Sequence, residues 1–331
     1  MAITTTEAGR LLQAARAEMA KRIIGQQDMV DALLAALIAG GHVLLEGPPG
    51  LAKTRAVKCL AQITGLSFKR IQFTPDLLPA DITGTLVWDQ AGGGFSVRKG
   101  PVFANLILAD EINRAPAKVQ SALLEAMEER QVTIGETAYP LPDPFFVMAT
   151  ENPIEHEGTY ALPEAELDRF LLKTIVPYPS AAEEEAILGF AGAFSRGKRP
   201  DEDKSLAPVL GAGGIERLRE AADTVFLDEK IAAYIVSLSA ATRPVPGVPP
   251  AAGDVRRLIA FGASPRASLC LHRVSRVYAL FAGRAFVSIE DVKAAAPAVL
   301  RHRIVRSYEA DAENKTADDI LARILRTVPV P

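Results

Sequence analysis

The stretch "EGPPGLAKT", Glu46 to Thr54, decides how the first half of the chain is read. It follows the apolar run "HVLLE" (42–46) and precedes a helical pattern, the strand-to-helix context that a phosphate-binding loop requires. The regular pattern is altered twice: Pro48 and Pro49 remove two backbone donors, and Ala52 stands where glycine lets a phosphate approach the chain. The amides of Gly50, Leu51, Ala52, Lys53 and Thr54 remain available at a helix N-terminus, where the dipole also favours anions. A methyl group at position 52 is tolerable if that residue has helical φ. In such a loop Lys53 neutralises β- and γ-phosphate oxygens and Thr54 offers its hydroxyl to Mg²⁺.

Three further apolar runs, "NLILAD" (105–110), "FFVMAT" (145–150) and "KTIVP" (173–177), have strand length and continuous hydrophobicity, as in a parallel sheet buried on both faces. Helical patterns over 27–39, 53–63 and 117–130 separate them, the last with Val119, Leu123 and Met127 along one face. The first half is therefore α/β. Two inserts, 86–100 with its Gly-rich turn and 130–142 around Gly135-Glu136, read as β-hairpins.

After about residue 180 the strand-like runs stop. The charged segment "SRGKRPDEDKS" (195–205) reads as a surface linker, and the remainder of the chain is helical in pattern. Asp228 is a candidate cap for a helix to about Ala241, Ser264-Pro265 starts another to about Ala282, and Ser288 with Asp291 resembles a capping box.

Two of the strands end in chemistry. "NLILADE" closes on Asp110-Glu111: one carboxylate at a strand end can hold Mg²⁺ and its neighbour can deprotonate a water attacking a γ-phosphate. "FFVMATENP" closes on Asn152, whose amide can hydrogen-bond that water or the γ-phosphate, although an Asn-Pro turn has the same appearance.

With these motifs placed, the chain resembles the MoxR family of AAA+ ATPases. The resemblance rests on "GPPGLAKT" (47–54), "LADEINRAPAKVQSALLEAMEERQVTI" (108–134) and "ATENPIEHEGTYALPEAELDRF" (149–170), and Ala52 is usual in that family. It implies an AAA+ αβα domain over 1–180 with a five-stranded parallel sheet, a helix-2 insert hairpin at about 74–104 and a pre-sensor hairpin at about 130–142. A small all-α lid over 181–331 would complete the chain. The resemblance implies that Gly47, Pro48, Pro49, Gly50, Leu51, Ala52, Lys53 and Thr54 bind ATP, that Thr54 and Asp110 hold Mg²⁺, and that Glu111 activates water. Asn152 would be the first sensor, Arg169 in "LDRF" the finger reaching into the next subunit of a hexameric ring, and Arg266 in "GASPRAS" the second sensor. Ile24 and Gly25 would lie at the adenine. Arg266 falls in a helix first turn, where a cation opposes the dipole unless an anion is near. The family also implies a chaperone-like remodeller of client proteins, often beside a partner with a von Willebrand factor A domain.

Composition bounds the alternatives. In 331 residues, 37 basic side chains nearly balance 40 acidic ones, and the net charge of −3 gives no global attraction to nucleic acid or anionic lipid. A nucleic-acid motor needs basic hairpins, and these offer only Arg98, Lys99 and Arg130. A metal-chelatase subunit shares the same fold and hairpins, and a non-hydrolysing scaffold would not keep Asp110-Glu111. Cys59 and Cys270 read as core residues, and His42, His156, His272 and His302 lack metal or triad spacing. No apolar run reaches the roughly 20 residues that span a bilayer, and the N-terminal residues show no signal-like pattern, so a cytoplasmic protein is expected.

Overall fold

A computed structural model describes residues 3–90, 93–153, 158–192, 206–244 and 254–331. The segment 195–205 expected to be a linker, and His156, lie outside the described residues. In chain order the elements are α1 (Thr5–Ala20), α2 (Gln27–Ile38), β1 (Val43–Glu46), α3 (Lys53–Thr64), β2 (Phe68–Gln72), α4 (Pro79–Thr83), β3 (Gly84–Asp89) and β4 (Gly94–Lys99). They continue with β5 (Leu106–Asp110), α5 (Ala117–Glu129), β6 (Gln131–Ile134), β7 (Thr137–Pro140), β8 (Phe146–Glu151), α6 (Glu164–Leu167), β9 (Leu172–Ile175) and α7 (Ala181–Gly192). The last are α8 (Gly211–Thr224), α9 (Glu229–Ala241), β10 (Ile259–Phe261), α10 (Pro265–Phe281), α11 (Ile289–Leu300), β11 (Val305–Arg306), α12 (Tyr308–Ala312) and α13 (Ala317–Thr327).

Chain contacts divide the molecule into two compact units. One comprises Gln13–Leu162 with Thr174–Ile215, the other Met1–Leu12, Pro163–Lys173 and Glu216–Pro331.

A parallel five-stranded sheet in the order β2-β5-β8-β1-β9 organises the first unit. Its inner strands are continuously apolar because both faces are covered: Leu106, Ile107 and Leu108 on β5 and Phe146, Val147 and Met148 on β8 have no exposed surface. The register pairs Glu46 with Glu151 and Gln72 with Asp110, so the polar strand ends share one rim. Strand β2 was not expected from the sequence. Its residues "FKRIQ" bury only Ile71 fully, as suits an edge strand whose charges keep other chains from pairing with it.

Both hairpins form. The pair β3-β4 is in regular antiparallel register from Gly84↔Lys99 to Asp89↔Gly94, and β6-β7 closes with Ile134↔Thr137 around Gly135 at φ 64°. The hairpins touch: a Cβ on Gly135 would come within 2.8 Å of the Leu86 side chain.

In the second unit, α10 and α11 bury Val274, Val277, Leu280, Val292, Ala295 and Val299, and α13 adds Ile320, Leu321 and Ile324. The expected caps are present: Asp228 accepts the Lys230 amide, Ser264 that of Arg266, and Ser288 with Asp291 forms a capping box. This helical part also holds an unexpected two-stranded antiparallel sheet, β10-β11. Its strands are too short to leave a periodic signature.

Candidate functional site: a cleft at the strand ends

At the carboxyl rim of β1, β5 and β8 lies a cleft of about 820 Å³, within the usual range for small-molecule sites. Of the residues singled out from sequence, Ile24, Pro49, Gly50, Leu51, Ala52, Lys53, Thr54, Asp110, Glu111 and Asn152 line it together. Elements distant in sequence thus converge where an open α/β sheet binds its ligand, beyond the ends of its strands.

The loop is shaped by close approaches. Gly47 lies so near strand β9's continuation that a Cβ there would be 2.6 Å from the Val176 carbonyl oxygen, and Gly50 turns at φ 85°. Ala52 does not meet the condition of helical φ under which its methyl group would be free of strain. Its φ of 58° and ψ of 12° place it in the left-handed region, not the helical one, immediately before α3. An L-residue there costs roughly 1–2 kcal/mol, so alanine occupies the glycine position under strain rather than by conformational fit.

Lys53 Nζ donates to the Gly47 carbonyl oxygen at 2.5 Å. Burial pushes its ammonium below the ordinary lysine value, while Asp110, Glu111 and Glu46 pull it back up. An anion in the cleft would supply the charge compensation that this half-buried cation lacks.

The acidic pair is held by a network. Thr150, on the neighbouring strand β8, donates to Asp110 Oδ1 at 2.7 Å and accepts the Glu111 amide at 2.8 Å. Glu111 is itself left-handed, at φ 55°. Gln72 Nε2 donates to Glu111 Oε2 at 2.9 Å, Arg114 lies 3.1 Å from the same carboxylate oxygen, and Arg70 pairs with Asp110 Oδ2 at 2.7 Å. Sequence reasoning missed Thr150, Gln72 and Arg70. A threonine inside an apolar strand ending in Asn152 was a signal for the first, while Arg70 and Gln72 lie on the overlooked β2, two residues apart and so on one face.

Around the expected adenine region, Gly25 has φ 67° and its missing Cβ leaves room for the Glu183 carboxylate, 2.2 Å from where that carbon would be. Gln26 is left-handed and donates through Nε2 to the Pro177 carbonyl oxygen at 2.9 Å.

Arg169 and Arg266 belong to the other compact unit. Arg169 follows α6 and is half-buried, and Arg266 occupies the first turn of α10. Arg130, one of few basic hairpin residues, donates to the Phe145 and Gly40 carbonyl oxygens and so serves the fold. The Lys99 ammonium lies over the Phe103 and Tyr139 rings. Cys59 and Cys270 are buried thiols outside any disulfide, and His42 accepts the Val147 amide, as expected of core residues.

Comparison with known proteins agrees with this geometry. Residues 42–172 match the ATPase family associated with various cellular activities (AAA), and residues 251–324 match an AAA lid domain. The chain is 48% identical to Chaperone MoxR1 of Mycobacterium tuberculosis over 97% of its length and 82% of that protein. It is 33% identical to Protein MoxR of Methylorubrum extorquens, covering 95% of this chain and 93% of the relative. A crystal structure from Cytophaga hutchinsonii described as a candidate ATPase superposes with a TM-score of 0.88 at 42% identity, over 99% of this chain and 97% of that one. The chain therefore belongs to the MoxR family of AAA+ ATPases.

Proposed function

We propose that this ATPase is Mg²⁺-dependent, works as a hexameric ring in the cytoplasm, and uses hydrolysis to remodel client proteins, with a von Willebrand factor A domain protein as a candidate partner. The observation that carries the reading is the convergence of Lys53, Thr54, Asp110, Glu111 and Asn152 on one cleft. The donor set fits the metal: a hydroxyl and a carboxylate, with substrate phosphates completing the shell, is how Mg²⁺ is usually held. Thr54 and Asp110 would hold it, and when bound it neutralises charge developing on the phosphates.

In this reading the loop amides from Gly50 to Thr54 and Lys53 hold the β- and γ-phosphates. Glu111 accepts the proton of the attacking water, and Asn152 orients that water. Arg169 stabilises the transition state in the neighbouring subunit, and Arg266 contacts the phosphate of its own. The remodelling role draws on the name of the mycobacterial relative, a chaperone. Exposed Trp88 and Phe95, packed edge to face at 5.1 Å on the β3-β4 hairpin, give such a machine an apolar surface to present.

The test is a pair of substitutions. Glu111→Gln should bind ATP and stay assembled without turnover. Arg169→Ala should bind ATP yet lose roughly 10³–10⁵ in rate, the worth of an arginine finger. Size-exclusion chromatography with ATP reads the ring directly. Substantial turnover by Arg169→Ala, or a monomer under all nucleotide conditions, would contradict the ring mechanism.

A further inference from the structure

Arg303 is the most deeply buried guanidinium among the described ion pairs: its side chain is 1% exposed. Its Nε donates to Asp168 Oδ1 at 2.7 Å, and its terminal nitrogens donate to the main-chain carbonyls of Asp168 at 3.1 Å, Phe170 at 2.6 Å and Leu171 at 3.4 Å, and also to that of Val299. One planar fork thus reads three carbonyls of the turn that contains Arg169. The fork ties that turn at three carbonyls and one carboxylate, a pattern that the point charge of a lysine could not match.

The other Asp168 oxygen continues the chain. Ser264 Oγ donates to Asp168 Oδ2 at 2.9 Å and accepts the Arg266 amide at 3.2 Å, which uses the single hydroxyl hydrogen and one lone pair. A continuous path therefore runs Arg303, Asp168, Ser264, Arg266, and it lies wholly within one compact unit. Its two ends of chemical interest are immediate: Arg169 is bonded to Asp168, and Arg266 is two residues from Ser264.

We propose that the Asp168–Ser264 hydrogen bond, backed by Arg303, is a strut that holds Arg169 and Arg266 in fixed mutual register, making Asp168, Ser264 and Arg303 positioning residues for ATP hydrolysis. The inference rests on the roles proposed above for Arg169 and Arg266. Through the strut, engagement of one arginine by phosphate sets the placement of the other, so a site's own nucleotide is linked to the finger offered to a neighbour.

Ser264 separates positioning from helix capping. Aspartate caps a helix as well as serine but has no hydrogen to donate to Asp168. Ser264→Asp should therefore keep fluorescent-nucleotide affinity and the KM for ATP while kcat falls on the order of 10²-fold, the scale of a misplaced catalytic group. Ser264→Thr, which retains both hydrogen bonds, should match the parent. In an Arg169→Ala background Ser264→Asp should cost less than it does in the parent, because only the placement of Arg266 is then left to lose. If facing carboxylates unfold Ser264→Asp, Ser264→Gly carries the same test, because glycine caps nearly as well and also lacks the donor.

Parent-like turnover by the donor-less variant, or a loss confined to KM, would overturn the strut. If the parent, Arg169→Ala and Arg266→Ala all turn over alike, the arginine roles fail and the strut falls with them. If both arginine variants are inactive while the donor-less Ser264 variant is not, only the strut is wrong.

Discussion

Thr150 binds both members of the acidic pair: its hydroxyl donates to the Asp110 side chain at 2.7 Å and accepts the Glu111 amide at 2.8 Å. The second bond holds Glu111 in its left-handed backbone conformation, which by itself costs of order 1–3 kcal/mol. Thr150 is 1% exposed, so no water replaces a lost hydroxyl easily. Thr150→Val should lower stability by about 1–3 kcal/mol, the cost of leaving a buried donor unmet, and reduce ATP turnover because both carboxylates shift. Thr150→Ser should recover most of both. Denaturant melts alongside ATPase assays check the pair, and a fully active valine variant would remove Thr150 from the site.

Ala52 leads to the opposite sign. An alanine-to-glycine change inside a helix costs about 1 kcal/mol. At φ 58° the strain relieved offsets the entropy added to the unfolded chain, so Ala52→Gly should be neutral or stabilising by up to about 1 kcal/mol. Ala52→Val should destabilise, because a β-branched side chain is a poor occupant of that region. Chemical denaturation measures both; a clearly destabilised glycine variant would show that residue 52 is not left-handed in solution.

His302 sets a pH dependence. Burial drives its imidazole well below the ordinary histidine value, and the positive charges of Arg303, Lys173 and Arg301 act in the same direction. The folded protein thus resists a proton that the unfolded chain takes up near about pH 6.5. Stability from the neutral ring is complete above that pH and is lost as pH falls below it toward the folded value, by up to about 1.4 kcal/mol per pH unit. The His302→Gln protein, whose amide can still donate to the Phe170 carbonyl that lies 3.1 Å from Nε2, should show a shallower fall in Tm between about pH 7 and 5. Parallel curves would refute the assignment.

Much was legible in the sequence because the signals are local. Buried parallel strands read as apolar runs, so β1, β5, β8 and β9 could be placed, and caps such as Asp228, Ser264 and Ser288 announce their helices within three residues. The loop from Gly47 to Thr54 and the pair Asp110-Glu111 stood out because each is a contiguous motif. Strand β2 was hidden, since an edge strand is stabilised by its neighbour β5 rather than by its own polar residues.

Tertiary structure alone decided three things. It set the conformation of Ala52, because backbone φ at a strand-to-helix turn depends on where both elements are anchored. It brought Thr150, Gln72 and Arg70 to the acidic pair, through hydrogen bonds that span 39 or 40 positions in sequence and form only because parallel strands lie side by side. It also joined Asp168 to Ser264 and Arg303, 96 and 135 residues away. Periodicity and capping act over a few residues, whereas a side chain's partners depend on how whole elements pack, and that information is not carried by any short stretch of chain.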